Sequence, residues 1–585
     1  MPTLKRFLAL VIVCALTLAS TPRATASAYD AHPKLVVVIV LDQFRADYLE
    51  RYHADFKGRG FKLFLDKGAD FLDCYYDYAN TETAPGHATI GTGAYTDGHG
   101  IGGNEWWDLA RSKDHTVTSV EDERYALVGL PSGGKTPASP GSSPRNLLAS
   151  TFGDELRLNT TGTSQVYGVS LKDRAAILPA GATANGAFWI DQPSGRFITS
   201  TFYMPQLPDW AQTFDDSGRI DQAKQEADAP TSTNFYGDVG ATPAAVSYEI
   251  DFAKALITGA ALGKHDTTDI LTLSISSTDI LGHRVGPDSP QQREMVDAVD
   301  TDLDSFFTWL DKNVEGGLGN VWIALTADHG IAPVPADAAK LGLNAATIDM
   351  SRLAANLNDA INLKFSPGEK VQYLLPRPDF PYIALNPPSF DRAGINELEA
   401  EQAVQNALPA AFDALTKPSD LKTPATAKLP PTPEMFRSYT RLQIADGTIP
   451  NTPFGHLIEH SYTPNGGWYV MVIPDAFQMA YSARGGTTHF TPYSYDRHVP
   501  LAFYGAPFAP GIYHGRVEPT DIAATFASLL GINQPSASVG HILTQALKPA
   551  AAVTYPKPVP VHTHPGARRT HAAAKQHPAE STPQK

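Results

Sequence analysis

Four continuous runs of apolar residues, each followed by polar side chains, organise the hydrophobic pattern of the chain. The clearest is residues 34–41, KLVVVIVL, which ends abruptly at Asp42. The others are residues 165–170, 269–276 and 321–326, which lead to Lys172, Asp279 and Asp328. Uninterrupted apolar runs are typical of strands covered on both faces, as in a parallel sheet. Because ligands of open α/β sheets bind outside the carboxyl ends of the strands, we expect a functional site there.

Helical patterns lie between these runs. Ser289, Pro290 and Gln292 predict a capped helix start with a capping box, and apolar residues then recur every three or four positions. These apolar residues are Met295, Val299, Leu303, Phe306 and Leu310. A second helix is predicted over Thr520–Leu530, ending at Gly531. Strands alternating with helices predict an α/β fold, an α/β/α sandwich over residues 29–548.

Three stretches lack a steady period and are predicted as additions to this sandwich. Residues 105–160 and 175–250 are rich in Gly, Pro, Ser and aromatic residues. Residues 335–470 contain many prolines, including Pro387-Pro388 and Pro430-Pro431, and are predicted to be an inserted cap. Insertions at the active face of a fold commonly shape access to its site.

The first 28 residues have the pattern of a secretory signal peptide. Lys5 and Arg6 precede an apolar run over residues 7–19, and small residues at 24–28 suit cleavage. The run is too short to favour a membrane anchor, and Val13 before Cys14 disfavours a lipoprotein signal. No later segment is apolar for long enough to cross a membrane. We therefore expect an exported protein, periplasmic or secreted, without an integral membrane segment.

Charge is distributed unevenly along the chain. The formal net charge is −15, which disfavours nucleic acid as a partner. An anionic substrate must then be attracted by local positive charge, most simply by bound metal ions. Residues 549–585 are instead basic and rich in Pro, Ala and His, which predicts a disordered tail. Its four histidines could bind metal loosely, but a solvated tail is the favoured interpretation.

Cysteine usage excludes an internal disulfide in the mature chain. Removal of the signal would leave Cys74 as the single cysteine. Because Cys74 lies among Phe71, Leu72 and Tyr75, we expect it to be a buried small apolar residue. Stability must then come from the size of the core and from bound metal.

Residues 80–104, NTETAPGHATIGTGAYTDGHGIGGN, are where the chemistry is predicted. Pro85 favours a first helical turn, which places Thr83 just ahead of a helix N-terminus. There the Thr83 hydroxyl would face unpaired N–H groups and the positive end of the helix dipole, which suit an oxyanion or a phosphate. The alternative is that Thr83 only caps the helix.

Six acidic and histidine side chains fall at the predicted strand ends or in the loops after them. They are Asp42, Asp279, His283, Asp328, His329 and His489. Asp279 and His283 are one helical turn apart, whereas Asp328 and His329 are adjacent and precede Gly330. Mixed oxygen and imidazole ligands suit zinc. Any one of these residues alone would be interpreted as structural, but together they predict a metal site.

These motifs resemble the alkaline phosphatase superfamily, and within it exported bacterial alkaline phosphatases close to the nucleotide pyrophosphatase/phosphodiesterases. The matching segments are VLDQFRADYL, TAPGHATIGTG, GNEWWD, SLKDRAAILPAG, STDILGHRVGP, TADHG, THF and VEPTDIAATFASLLGI. They cover the catalytic core at both ends of the chain. Residues 335–470 and the tail have no matching motif.

The resemblance implies two zinc ions per chain. Asp279, His283 and His489 would hold one ion, and Asp42, Asp328 and His329 the other, with Thr83 beside the second ion as ligand and nucleophile. Two divalent ions about 4 Å apart can clamp the attacking and leaving oxygens of an in-line displacement. The implied reaction is hydrolysis of phosphate monoesters through a phospho-threonine, with release of inorganic phosphate. His87 matches a family segment without being a ligand there, so it is interpreted as structural.

Three further residues favour monoesters over diesters. Residues two apart at a strand end point the same way, so Lys172 and Arg174 would both reach the phosphate oxygens. Asn104 would add a neutral donor. This much positive charge favours a monoester dianion, and SLKDRAAILPAG resembles the monoesterase branch. An exposed charged turn is the alternative interpretation of Lys172 and Arg174.

Three other functions were weighed against this one. A phosphodiesterase or nucleotide pyrophosphatase would share the metal site and Thr83 but would lack the Lys172 and Arg174 pair. A sulfatase needs a C/S-x-P-x-R pattern, and Thr83 and His87 stand at its key positions. A binding module with a degenerate site is disfavoured because the set of residues is complete. We expect small-molecule phosphate monoesters as partners, and a monomer is favoured.

Overall fold

Eighteen strands form one large sheet and three small ones in the part of the chain that the structure describes, residues 32–132, 140–376, 380–415, 433–480 and 486–549. A computed structural model gives their bounds. The strands are β1 (Leu35–Leu41), β2 (Ala69–Phe71), β3 (Glu105–Trp106), β4 (Val117–Thr118), β5 (Glu121–Val128), β6 (Gly141–Ser142), β7 (Val166–Ser170), β8 (Gly186–Ile190), β9 (Phe197–Ser200), β10 (Asp269–Ile275), β11 (Val321–Thr326), β12 (Ala346–Ile348), β13 (Tyr382–Ala384), β14 (Met435–Thr440), β15 (Tyr469–Pro474), β16 (Gln478–Ala480), β17 (Leu501–Tyr504) and β18 (Gly511–Tyr513). The large sheet has the order β18-β2-β17-β11-β1-β10-β7-β8-β9-β5-β6.

The four predicted strands are confirmed as parallel neighbours at the centre of the large sheet, in the order β11-β1-β10-β7. Val40 of β1 lies opposite Ser274 of β10 and Thr326 of β11. Ser274 in turn lies opposite Ser170 of β7. Because the four strands end in register, the residues that follow them emerge together at one edge of the sheet.

Twenty α-helices lie between the strands in the described residues. They are α1 (Asp47–Arg51), α2 (Lys62–Lys67), α3 (Thr83–Thr92), α4 (Thr96–His99), α5 (Phe152–Asn159), α6 (Asp173–Ala180), α7 (Asp209–Asp215), α8 (Arg219–Glu226), α9 (Phe235–Asp238), α10 (Pro243–Gly259), α11 (Ser277–Val285), α12 (Pro290–Asn313), α13 (Pro335–Lys340), α14 (Met350–Phe365), α15 (Pro387–Arg392), α16 (Glu397–Asp413), α17 (Arg441–Ala445), α18 (Pro453–Glu459), α19 (Ser494–Arg497) and α20 (Thr520–Leu530). Short 3₁₀ turns occupy His53–Asp55, Gly317–Asn320 and Thr544–Ala546.

The two predicted helices form, with one correction at the start of α12. The Ser289 side chain accepts the N–H of Gln292, and the five predicted apolar positions are all fully buried. The Gln292 side chain does not complete a capping box, because its Nε2 donates to the carbonyl of Thr278 at 3.0 Å. Helix α20 ends as predicted at Gly531, which has a φ of +65°.

The prediction that residues 105–160 and 175–250 are additions to the sandwich is wrong. They contain β5, β6, β8 and β9 of the large sheet, and β8 pairs in parallel with β7. Strand β8, GAFWI, is fully buried but has only five residues and begins with glycine. Such short segments lack the long aliphatic run that identifies the central strands, so their pattern does not distinguish them from loops.

Residues 335–480 have a small sheet and a core of their own. Strand β15 lies between β13 and β14, antiparallel to both. Leu353, Leu357, Val404 and Leu408 pack against the buried face of this sheet. The unit extends past residue 470, because β16 pairs with β12. The region predicted as a cap therefore contains a folded unit with its own core.

The two ends of the chain fall outside the described residues. The predicted signal peptide lies within residues 1–31, and the predicted tail is described only at Pro549, so both stay predictions. Cys74 is fully buried, as expected. Across the described ranges, no helix combines the length and hydropathy of a membrane span.

Candidate metal centre and active site

Asp42 and Gln43 form the turn that ends β1. Asp42 is fully buried; its Oδ1 has no hydrogen-bond partner, and its Oδ2 lies 2.7 Å from Lys172 Nζ. Gln43 has a φ of +63°, which few residues other than glycine adopt. The turn points the Gln43 N–H at Asp328 Oδ1, 3.0 Å away. The end of β1 is thereby joined to the end of β11.

Asp328 and His329 follow β11 in a tight turn. Gly330 allows the turn, because a Cβ there would lie 2.3 Å from the carbonyl oxygen of Tyr495. The His329 Nδ1–H donates to the carbonyl of Gly330 at 2.9 Å, which leaves the Nε2 lone pair exposed to its neighbours. Nε2 lies 3.7 Å from Asp42 Oδ1 and 3.6 Å from Asp328 Oδ2.

These three side chains have the features of a metal site. His329 Nε2, Asp328 Oδ2 and Asp42 Oδ1 are buried and lack hydrogen-bond partners. One ligand atom from each of Asp42, Asp328 and His329 lies within 4.8 Å of the other two. Burial of a hydrogen-bond acceptor without a donor costs free energy. A divalent cation bound between the three side chains would supply the missing interactions. The arrangement therefore fits a bound metal.

Asp279 and His283 lie one turn apart on α11, as predicted. His283 Nε2 is 3.1 Å from Asp279 Oδ1, and its Nδ1–H donates to the carbonyl of Thr487. The His489 Nδ1–H donates to the carbonyl of Thr81 at 2.6 Å. In each histidine the backbone bond fixes the tautomer and leaves Nε2 as the ligand nitrogen.

The second group of ligand atoms differs from the set that the resemblance implied. One ligand atom from each of Asp279, His489 and His329 lies within 4.8 Å of the other two, and His283 is not part of this group. The rings of His329 and His489 stack with centroids 3.7 Å apart, whereas those of His283 and His489 are 5.2 Å apart. All the same, the six predicted residues lie in one cluster.

Burial and neighbouring charges move the pKa values of these groups in different directions. Burial raises the pKa of Asp42 well above its usual range. Burial opposes ionisation of Asp279 too, but Lys172 and His283 outweigh it and hold the pKa of Asp279 well below its usual range. Burial lowers the pKa of His489, so this histidine is neutral, the form that binds metal.

Lys172 contacts two carboxylates of this cluster, whereas Arg174 lies one residue into the next helix. Lys172 Nζ lies 2.7 Å from Asp42 Oδ2, outside hydrogen-bonding geometry, and donates to Asp279 Oδ2 at 2.5 Å. The premise that Lys172 and Arg174 both stand at a strand end is wrong, because β7 ends at Ser170 and α6 begins at Asp173. Arg174 lines an open cleft with Asn104.

Thr83 is the first residue of α3 and is 1% exposed. The prediction that it stands ahead of the helix is thus off by one residue, and Glu82 occupies the capping position. The Ala84 N–H donates to Asn104 Oδ1 at 2.9 Å, and Pro85 has no N–H. Of these three residues, only Thr83 therefore has an N–H to offer a ligand.

Two neighbours fix Thr83 beside the acidic and histidine cluster. The His87 Nδ1–H donates to the Thr83 carbonyl at 2.8 Å, and the same nitrogen lies 3.3 Å from Asp328 Oδ2. Thr81, two residues earlier, accepts the bond from His489. His87 is fully buried and its Nε2 is bonded to Ser274, which agrees with a structural role.

Comparison with known proteins identifies the family. Residues 36–434 match the profile of type I phosphodiesterases/nucleotide pyrophosphatases, which is more than half of the chain. The chain belongs to this family. It is thus a phosphoester-hydrolysing enzyme of the alkaline phosphatase superfamily, and the predicted family and enzyme class are confirmed.

Relatives of this family member carry alkaline phosphatase names. Alkaline phosphatase PafA of Elizabethkingia meningoseptica is 33% identical over 554 residues, which cover 88% of this chain and 94% of that protein. Alkaline phosphatase PhoV of Synechococcus elongatus is 33% identical over 562 residues, with the same two coverages. The crystal structure of wild-type PafA superposes with a TM-score of 0.77 at 30% identity, covering 89% of this chain and 100% of that one. The mixed α/β fold class is thereby confirmed.

Two polar residues of this family member were missed by sequence reasoning. Gln43 Nε2 donates to Asp279 Oδ1 at 2.7 Å, so this residue contacts a carboxylate in each group of ligands. Glu249 of α10 accepts the N–H groups of Leu171 and Ser276, which follow β7 and β10. Gln43 lies within the quoted VLDQFRADYL segment, but no sequence signal marks Glu249.

Proposed function

We propose that this family member is a zinc-dependent alkaline phosphatase that hydrolyses phosphate monoesters and releases inorganic phosphate. The observation that carries the proposal is the set of buried acceptor atoms without donors at the ends of β1 and β11, with Thr83 held beside them. The names of its relatives support the same activity. Phosphate monoesters are then its small-molecule substrates.

The proposed ligands are divided as the resemblance implies. Asp42, Asp328 and His329, with the Thr83 oxygen, would hold one zinc ion. The other would be held by Asp279, His283 and His489. This mixture of carboxylate oxygens and imidazole nitrogens suits zinc. Bound zinc supplies positive charge that lowers the pKa of a neighbouring hydroxyl and offsets charge on the phosphate.

Thr83 is the proposed nucleophile. Its deprotonated Oγ1 attacks phosphorus, and the bond from phosphorus to the ester oxygen breaks, so the alcohol leaves and takes up a proton. Water then attacks phospho-Thr83, which restores the hydroxyl and releases phosphate. The contacts of His87 and Thr81 hold the backbone around Thr83 in place during both displacements.

Asn104, Lys172 and Arg174 are the proposed phosphate-binding residues. Because Asn104 Oδ1 accepts the Ala84 N–H, its Nδ2 is the group that can donate to a phosphate oxygen. Arg174 shares a cleft with Asn104, and Lys172 lies deeper, between Asp42 and Asp279. Two cations favour the dianion of a monoester over the single charge of a diester.

Hydrolysis of phosphodiesters or nucleotide pyrophosphates is the second candidate, because the matching family profile carries that description. Initial rates with 4-nitrophenyl phosphate and with bis(4-nitrophenyl) phosphate distinguish the two. We expect the monoester to dominate in kcat/KM, and a faster diester would support the second candidate instead. Zinc measured in the same preparation should be two ions per chain and should be lost together with activity on chelation.

The role of Thr83 is tested by a pair of threonine variants on the same helix. Thr83→Ala should lose activity by roughly 10³-fold or more while zinc is retained. Thr92→Ala, which removes a hydroxyl bonded to Ala88 at the far end of α3, is the matched control. Acid quenching followed by mass spectrometry should find phosphate on the peptide containing Thr83. Undiminished activity of Thr83→Ala would remove Thr83 from its proposed role.

We further propose that the protein is exported as a monomer to the periplasm or secreted, with residues 1–28 removed. N-terminal sequencing of the mature protein tests the cleavage, and light scattering tests the monomer.

The proposed cap, residues 335–470, contacts the segment that carries the nucleophile. The Thr96 hydroxyl donates to the carbonyl of His460, and the Asn465 side chain donates to the carbonyl of Gly100.

A further inference from the structure

An open cleft continues outward from the proposed phosphate-binding residues. Asn104 and Arg174 both line it, and the same Asn104 is bonded to Ala84, next to Thr83. The cleft is therefore continuous with the place where the phosphate would lie. A monoester held there by its phosphate has to direct its organic group into some part of this surface.

One wall of the cleft is apolar and preformed. Leu127 of β5, Trp189 of β8 and Ile198 of β9 line it. Trp189 and Ile198 are only 4% and 2% exposed and pack in one cluster with Trp106, so the wall does not depend on mobile side chains. Leu127 is half-buried against the same cluster. Rigid apolar walls with a few polar groups are typical of small-ligand sites.

The charges around the cleft disfavour a second anionic group. Glu105, Asp173 and Asp191 all line it. Arg174 is the one cation among the described lining residues, and the proposed function assigns it to the phosphate. Among the described lining residues, a ligand that carries a further phosphate or carboxylate would meet three carboxylates and no second cation.

We propose, on the basis of the proposed function, that this cleft receives the organic group of the monoester and selects neutral, apolar groups, aromatic ones in particular, over anionic ones. An aromatic group held against Leu127, Trp189 and Ile198 buries its own apolar surface there. Burial of the ligand's surface is expected to raise kcat/KM by about tenfold to a hundredfold over a methyl group.

Three substrates that differ only in the organic group test the proposal. Methyl phosphate and benzyl phosphate release alcohols of similar acidity, so their ratio of kcat/KM reports contacts rather than leaving-group chemistry. We expect benzyl phosphate to be favoured by about tenfold or more, and 4-carboxybenzyl phosphate to lose most of that advantage. Equal kcat/KM for all three would overturn the proposal. Absence of hydrolysis of all three monoesters would instead contradict the proposed function.

Substitutions of lining residues test whether the substrate selectivity arises in the cleft. Leu127→Ser should lower the benzyl-to-methyl ratio by about tenfold, and Leu127→Met, which conserves volume, should preserve it. Leu158→Ser, at a position on α5 that is 70% exposed, is the matched control and should leave the ratio unchanged. Glu105→Gln should raise the rate with 4-carboxybenzyl phosphate relative to benzyl phosphate. A ratio unaffected by Leu127→Ser in a protein with normal thermal unfolding would place the selectivity elsewhere and overturn the proposal.

Discussion

Gln43 offers the sharpest test of how the two groups of ligands are held together. Its side chain donates to Asp279 Oδ1 at 2.7 Å, and its backbone N–H donates to Asp328 Oδ1 at 3.0 Å. Gln43→Ala removes the first bond and keeps the second. A buried hydrogen bond to a charged acceptor is worth about 1.5–3 kcal/mol. Loss of a residue that orients a metal ligand typically costs about 10–100-fold in affinity, which is the same range of free energy.

The assay is competition for zinc with a chromophoric chelator, read alongside the free energy of unfolding. We expect Gln43→Ala to bind zinc about 10–100-fold more weakly. Gln43→Gly should bind zinc equally weakly but unfold less readily than the alanine variant, because glycine adopts the φ of +63° without strain. Comparing the two separates the side-chain contact from the backbone conformation.

A buried glutamine outside the site provides the control. Gln478 is fully buried and donates to the carbonyl of Asn344 at 2.8 Å. Gln478→Ala should lower stability without changing zinc affinity. Gln43 does not hold the ligands together if Gln43→Ala binds zinc as tightly as the unaltered protein, or if Gln478→Ala weakens zinc binding to the same extent.

Two further predictions concern buried carboxyl groups. Glu249→Ala leaves the N–H groups of Leu171 and Ser276 without an acceptor, which should lower the free energy of unfolding in urea by about 1–3 kcal/mol for each group and should also raise KM. Glu249→Gln keeps one acceptor and should have both effects to a smaller degree. An unchanged KM in both variants would indicate a purely structural role. Burial raises the pKa of Asp215 from 3.8 to about 7, so its stabilising contribution is present below about pH 4 and is lost as the pH rises through 7. Asp215→Asn should therefore flatten the dependence of the unfolding free energy on pH over this window and stabilise the protein by up to a few kcal/mol at pH 8. An unchanged slope would contradict the raised pKa of Asp215.

The centre of the sheet and most of the acidic cluster could be predicted because both follow from one local pattern. An aliphatic run such as residues 34–41 is typical of a strand buried on both faces, and the polar residue that ends such a strand lies at the edge of the sheet. That reasoning places Asp42, Asp279 and Asp328 together without knowledge of any contact. It fails for β8, whose five buried residues are too few to show a period.

Other features depend on contacts between distant segments, which no local pattern contains. The direction of Lys172 is set by the start of α6 immediately after it, so the alternation rule for strands does not apply. The part played by Gln43 requires a positive φ and a carboxylate 236 positions away. Glu249 acts on two strand ends from a helix whose sequence looks like ordinary core.

Anomalous diffraction from crystals of the zinc-loaded protein, recorded on both sides of the zinc absorption edge, tests the central claim most directly. Two peaks about 4 Å apart are predicted. One should be bound by Asp42, Asp328 and His329, and the other by Asp279, His283 and His489. Absence of density at these residues, or zinc bound only elsewhere on the chain, would contradict the account.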